Sequence, residues 1–125
     1  MIPSDFRFEN PRLISIEFNL NKDALADKTY SISQNISIKK TKDANSAFVQ
    51  MEYYCGDKNE QPFFIKAVIG AKFLWENIDD DKIDDFLDVN APSLLISYLR
   101  PIVSSVTTYA GITPFSIPFM NFSKK

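Results

Sequence analysis

The feature that most constrains this chain is a long helical pattern followed at once by an apolar run that prolines interrupt. Asn90 can cap a helix with its side-chain oxygen, Pro92 suits the start of a helix, and Gly111 suits its end. The residues between these signals, 91–110, are predicted to form about five helical turns. A long helix near the C-terminus is therefore expected, with a non-helical apolar segment attached to its end.

The apolar segment contains Pro114 and Pro118, which exclude a helix or a central strand. It is predicted to be extended and irregular. Such a segment can bind extended apolar peptides through burial alone, or it can fill the protein's own core or an oligomer interface, and the residues by themselves leave both open. Its large apolar members are Ile112, Phe115, Ile117, Phe119, Met120 and Phe122.

The predicted helix carries more apolar residues than packing on one small sheet requires. One line has heptad spacing, and a second line repeats every seven residues beside it. We predict that the surplus contacts a second copy of the helix across a dimer interface, the alternative being a helix buried inside a monomer. Pro101 removes one backbone hydrogen bond, so a kink is expected there. The predicted interface residues are Leu95, Ile96, Leu99, Ile102, Val103, Val106 and Tyr109.

Upstream of the helix, alternating apolar residues predict four strands, in residues 13–20, 30–38, 47–55 and 63–75. In the first, Ile14, Ile16, Phe18 and Leu20 are expected on a buried face, and the second is expected near a sheet edge. Residues 39–46 are predicted to be a polar connection. Short connections between consecutive strands imply antiparallel pairing. The predicted fold is therefore α+β, a single domain over residues 1–125 with a four-stranded antiparallel sheet and one long C-terminal helix.

A short acidic helix is predicted between the last strand and the long helix. Residues 76–88 hold seven acids and one lysine, with apolar residues at amphipathic spacing. The run Asp79-Asp80-Asp81 lacks the alternating acids, central glycine and terminal glutamate of a calcium loop, so no metal site is predicted. The stretch is interpreted as a solvated acidic face or as a docking patch for a basic partner.

The residues that catalysis usually requires are missing. The chain has no histidine, its three glycines are too scattered for a phosphate loop, and Cys55 lies in an apolar strand where a thiol is usually inert. No enzyme activity and no cofactor are predicted. The net charge of −2 argues against a nucleic-acid partner.

The cellular compartment is predicted from the same residues. A lone cysteine fits a reducing compartment, and the N-terminus has no signal-peptide pattern. No apolar run approaches the ~18 residues of a membrane span. The expectation is a cytoplasmic protein without membrane insertion.

Residues 90–122 resemble the SecB family of export chaperones. The resemblance implies an α+β protomer assembled as a homotetramer, a dimer of dimers, with hydrophobic grooves lined by the segment after the long helix and by the connection between the first two strands. The shared residues are Asn90-Ala91-Pro92, Tyr98-Leu99-Arg100-Pro101, Ala110-Gly111 and Met120-Asn121-Phe122. The implied groove residues are Leu25, Tyr30, Ile112, Phe115, Ile117, Phe119, Met120 and Phe122.

The resemblance also implies a function. Members of the family bind unfolded polypeptides, which we call clients, keep them export-competent and deliver them to the translocase motor SecA. The sequence stops at Lys125, so the family's second helix and tail are not expected here, which puts SecA delivery in doubt. Two alternatives stay open: a SecB-like chaperone that holds an antitoxin of a toxin–antitoxin pair, and an oligomeric adaptor that is not a chaperone and docks a folded partner through its acidic stretch.

Overall fold

A computed structural model describes residues 6–22 and 32–122 and shows an antiparallel sheet covered on one face by a helix. The sheet runs β3–β4–β5, and β1 and β2 both pair with the other edge of β5. This confirms the α+β class and the long C-terminal helix. The elements are β1 (Phe6–Phe8), β2 (Arg12–Leu20), β3 (Gln34–Asp43), β4 (Ser46–Gly56), β5 (Phe63–Trp75), α1 (Asp80–Asp85), a π-helical turn (Phe86–Asn90) and α2 (Ala91–Tyr109).

The sheet has five strands rather than the four predicted, because a short strand, β1, precedes the first predicted strand, which corresponds to β2. Phe8 pairs with Phe73 and Arg12 pairs with Gly70, so the edge strand has one more residue than β5 between these two pairs. Pro11 lies in the break, and a proline has no N–H to donate to the ladder. β1 and β2 are therefore two halves of one interrupted edge strand.

The predicted buried face of the first strand is right only in its second half: Phe18 and Leu20 are half-buried, whereas Ile14 and Ile16 are exposed. A bulge between Leu13 and Ser15 removes Ile14 from the alternation, and Ile14 is 51% exposed. The register on the two sides of the bulge places Leu13 and Ile16 on the face that α2 covers, yet both remain exposed at this edge. Apolar alternation indicated a strand correctly, but the bulge and the edge position decided what is buried.

The second predicted strand is displaced along the chain. β3 extends to Asp43, so most of the predicted polar connection is strand, and the turn to β4 is only Ala44-Asn45. The lysines on the helix-side face of β3 are stabilised by the acidic segment, since Lys40 pairs with Asp88, and Lys42 pairs with Asp84 at 3.1 Å. An edge strand tolerates such charges because one side of it faces water.

β4 and β5 follow the prediction closely and supply the core. On β5, every odd-numbered residue from Phe63 to Trp75 is buried, and on β4 the matching positions are buried as well. Gly56 turns the chain between these strands with φ of +81°, and a Cβ there would lie 1.9 Å from the carbonyl oxygen of Phe63. Only glycine fits this turn.

The predicted cap at Asn90 is wrong. Asn90 has helical dihedral angles (φ −73°, ψ −41°), and its side chain makes no capping hydrogen bond. The helical backbone is continuous from α1 through the π-helical turn, in which the N–H of Ala91 donates to the carbonyl of Phe86. The first N–H groups of α2 therefore have upstream partners and need no cap. α2 continues through Pro101 as a single helix, as predicted.

Four of the predicted interface residues lie in the core of the single chain, which corrects their assignment. Their side chains are at most 3% exposed and pack against the sheet, so they have no surface left for a second copy: Leu95, Ile96, Leu99 and Val103. Ile102 and Val106 are partly exposed, and Tyr109 is 90% exposed. An interface through these three residues stays a prediction.

Candidate functional site

The end of α2 determines where the apolar C-terminal segment lies. Gly111 adopts φ of +81° and ends the helix, as predicted. Its N–H donates to the backbone carbonyl of Thr108, and the N–H of Ile112 donates to the backbone carbonyl of Thr107, which is the Schellman arrangement. The chain therefore reverses immediately, and residues 112–122 return along α2.

Two hydrogen bonds attach this returning segment to the helix. The N–H of Phe115 donates to Thr107 Oγ1 at 2.9 Å, and Arg100 Nη2 donates to the carbonyl of Pro118 at 3.1 Å. Thr107 is fully buried, and its hydroxyl also lies 3.0 Å from the carbonyl of Val103. These contacts define the backbone path of a segment that prolines exclude from regular structure.

An open cleft of about 480 Å³ separates this segment from one end of the sheet. Its walls come from the start of β3, the start of β5 and the proline-broken loop. The side chains on all sides are mostly apolar, which is the surface that an extended apolar peptide needs. The lining residues are Ile32, Gln34, Phe63, Thr113, Pro114, Phe115 and Pro118.

Aromatic and polar contacts fix the walls of the cleft. The rings of Phe63 and Phe115 meet edge to face with centroids 5.8 Å apart. On the opposite wall, the hydroxyl of Tyr53 donates to Gln34 Oε1 at 2.6 Å. Burial raises the pKa of Tyr53, so its hydroxyl stays protonated and available as a donor.

The structure separates the predicted groove residues into three environments. Phe115 lines the cleft, whereas Ile117 is 4% exposed and is therefore a core residue. Phe119 is 83% exposed. The remaining described members, Ile112, Met120 and Phe122, are half-buried against the core, and Leu25 and Tyr30 lie outside the described residues.

Sequence reasoning did not identify the sheet's share of the cleft. Phe63 was assigned correctly to a strand, but no local pattern predicts that the start of β5 meets the C-terminal segment. Thr107 is a polar residue at a position of the helix where the heptad-like pattern calls for an apolar one. This exception to the pattern was the one signal in the sequence for its hydrogen bond with Phe115.

Cys55 lies beside Tyr53 and is fully buried. Burial raises the pKa of its thiol to about 11. Because only the thiolate reacts, we expect iodoacetamide at pH 8 to label the native protein at least about a hundredfold more slowly than the urea-unfolded chain. The labelling rates are measured by mass spectrometry. Equal rates in the two states would show that the thiol is accessible and reactive.

The acidic segment does not line the cleft, and its side chains do not form a metal site. Asp84 and Asp88 pair with lysines of β3, and Asp79, Asp80 and Asp81 are exposed. Within residues 6–22 and 32–122, no three acidic or cysteine side chains converge closely enough to hold a metal ion. In the same part of the chain, no helix is both long and apolar enough to cross a membrane.

Comparison with known proteins supports one family. The family model described as "Preprotein translocase subunit SecB" matches residues 3–124. The protein-export protein SecB of Bartonella quintana is 25% identical over 131 residues, which cover 95% of this chain and 73% of that protein. The SecB of Orientia tsutsugamushi strain Boryong is 27% identical over 124 residues, covering 96% of this chain and 74% of the relative.

A solved structure supports the same fold. A SecB-like chaperone of Mycobacterium tuberculosis, Rv1957, was determined in complex with a ChAD peptide from the antitoxin HigA1. It superposes with a TM-score of 0.74 and 12% sequence identity, covering 94% of this chain and 89% of that one. At this identity the likeness shows a shared fold.

Proposed function

This chain belongs to the SecB family, whose members are non-enzymatic chaperones, and on that premise we propose that it binds unfolded or non-native polypeptides and keeps them export-competent. The observation that carries the proposal is the open apolar cleft between the proline-broken C-terminal segment and the sheet. A cleft of this kind accepts many sequences, because burial of apolar surface is not directional.

The proposed mechanism is reversible burial without any covalent step. Apolar side chains of a client enter the cleft and pack on the rings of Phe63 and Phe115, and the exposed ring of Phe119, next to the cleft residue Pro118, adds a further contact. Burying one large apolar side chain contributes about 1.5–3 kcal/mol, so several weak contacts hold an unfolded chain while leaving it releasable. No cofactor takes part in this proposal.

The protein has two candidate duties. It either delivers clients to SecA for export or holds the antitoxin of a toxin–antitoxin pair. The export relatives support delivery to a translocase such as SecA. The fold shared with the mycobacterial chaperone, solved with an antitoxin peptide, supports antitoxin holding as the second candidate. Both duties use the same cleft and differ in the client, and both place the protein in the cytoplasm.

We further propose assembly as a homotetramer, a dimer of dimers. The supporting observation is apolar surface that the chain itself leaves open: on α2, Tyr98 is 41% and Tyr109 is 90% exposed, and on β2, Leu13 is 40% exposed. Exposed apolar groups concentrated on one helix flank and one sheet edge are typical of subunit interfaces.

Client holding is tested with Thr113→Arg, which introduces a bulky charge into the cleft without touching the core. Thr113 is exposed and lines the cleft, so the substitution should leave the melting temperature nearly unchanged while sharply reducing suppression of aggregation of a chemically unfolded protein, measured by light scattering. Thr108→Arg is the matched control, because Thr108 is exposed on α2 and does not line the cleft.

If Thr113→Arg holds clients as well as the wild type, the cleft is not the holding site. If the wild type does not suppress aggregation at a stoichiometric ratio, the adaptor alternative takes precedence. In that case the exposed acids of residues 79–85 become the candidate docking face, and binding of a folded basic partner should weaken as salt rises.

A further inference from the structure

The sheet face turned away from α2 carries a second cleft, of about 310 Å³, where β1 gives way to β2. It differs in place and in chemistry from the cleft lined by Phe63 and Phe115, called the client cleft from here on, since charged residues dominate its rim. It lies on the opposite face because Phe48, Gly70 and Lys72 occupy even-numbered positions, which alternate with the odd-numbered buried residues that α2 covers. The lining residues are Glu9, Asn10, Arg12, Phe48, Gly70, Ala71 and Lys72.

A glycine gives this cleft its apolar floor. The ring of Phe48 lies over Gly70 so closely that a Cβ at position 70 would be 2.6 Å from the ring's Cζ. Despite this packing, Phe48 remains 41% exposed. The register places Arg12 across from Gly70 and Lys72 across from Phe48, so two cations flank an accessible aromatic surface.

These two cations lack ion-pair partners in the part of the chain that the structure describes. Elsewhere on this face, Arg7 pairs with Glu76 at 3.5 Å and Lys58 pairs with Glu17 at 3.1 Å. Glu9 is the one carboxylate that lines the cleft, so its lining carries two positive charges and one negative, a net charge of +1. The cleft thus combines an apolar surface with a positive excess.

We propose that this second cleft docks an acidic segment of a partner protein. A carboxylate of the segment lies between Arg12 and Lys72, and a neighbouring apolar or aromatic side chain packs on Phe48. A peptide needs only one such anionic contact beside one apolar contact. Nucleic-acid binding commonly depends on about six to ten phosphate contacts, which two unpaired cations beside a carboxylate do not supply. The proposal does not depend on client holding.

The test uses a fluorescently labelled peptide of about twelve residues in which Glu alternates with Leu and Phe, and measures binding by fluorescence anisotropy. Arg12→Gln and Lys72→Gln should each weaken binding about two- to fivefold, because each removes one exposed charge contact. Glu9→Gln should strengthen binding, since it removes the one repulsive charge. Phe48→Ser should weaken binding of this peptide but not of one with Ser in place of Leu and Phe.

Lys82→Gln is the matched control, because Lys82 is an exposed cation on α1 that does not line this cleft. It changes net charge equally and should leave binding unchanged. Client holding should also be unchanged in Arg12→Gln and Lys72→Gln, which separates this surface from the client cleft. Absence of peptide binding, equal binding of a Lys-for-Glu peptide, equal competition by single-stranded RNA, or equal weakening in the control would each overturn the proposal.

Discussion

Leu99→Ala is expected to lower the free energy of unfolding by about 3 kcal/mol. Leu99 is a residue of α2 that is fully buried in the core. Truncation of such a leucine removes apolar burial and leaves a cavity. Urea unfolding monitored by circular dichroism, at one fixed protein concentration, measures the change as a lower midpoint with an unchanged slope.

Tyr109→Ala is the comparison that separates core from interface on the same helix. Tyr109 is 90% exposed, so the fold of the single chain should lose no more than about 0.5 kcal/mol. If Tyr109 contacts another subunit, the variant should instead lower the unfolding midpoint and make it depend less on protein concentration, because less oligomer remains to stabilise the fold. A large loss in Tyr109→Ala with little loss in Leu99→Ala would reverse the division between core and surface.

How far the sequence predicts this fold depends on whether local pattern and tertiary position agree. On β5 they agree, because a strand at the centre of the sheet buries every second residue. The apolar alternation from Phe63 to Trp75 predicts these buried positions directly. On the first half of β2 they disagree, since a bulge shifts the phase at Ile14 and the edge position leaves Leu13 and Ile16 exposed. No property of those residues in isolation indicates either fact.

The acidic segment and α2 show a second limit. Residues 39–42 contain three lysines and one threonine, a polar run that is typical of a connection. β3 nevertheless continues through them, because Lys40 pairs with Asp88 and Lys42 pairs with Asp84. Asn90 reads as a cap only if the helix starts there, whereas the helical backbone already begins at Asp80. A long-range pairing overrode the local signal in β3, and a helix continuous from upstream overrode the capping signal at Asn90.

For the client cleft, the sequence located the segment but not its environment. The two prolines predicted an irregular apolar stretch, and the stretch does form one wall. Which side chains would be open was not predictable, because Ile117 and Phe119 are two residues apart and yet are 4% and 83% exposed. The difference follows from the backbone path that Thr107 and Arg100 impose through their hydrogen bonds.

That difference gives the sharpest test of client binding, because Phe119 is open to solvent in the single chain. Phe119→Ser should leave the melting temperature nearly unchanged, since an exposed ring contributes little to folding. If the ring is buried against a bound client, its loss costs about 1.5–3 kcal/mol of binding, which weakens the affinity for an unfolded client roughly ten- to a hundredfold. Titration of a permanently unfolded, fluorescently labelled client measures this affinity.

Phe115→Ser is the contrasting variant on the same segment. Phe115 is half-buried against Phe63, and its backbone N–H is anchored on Thr107, so this change should lower both the melting temperature and the affinity for clients. Phe119→Ser should lower the affinity alone. A fall of many degrees in Phe119→Ser with unchanged affinity would mean that Phe119 serves folding or assembly, and the client surface would then be confined to the cleft that Phe63 and Phe115 line.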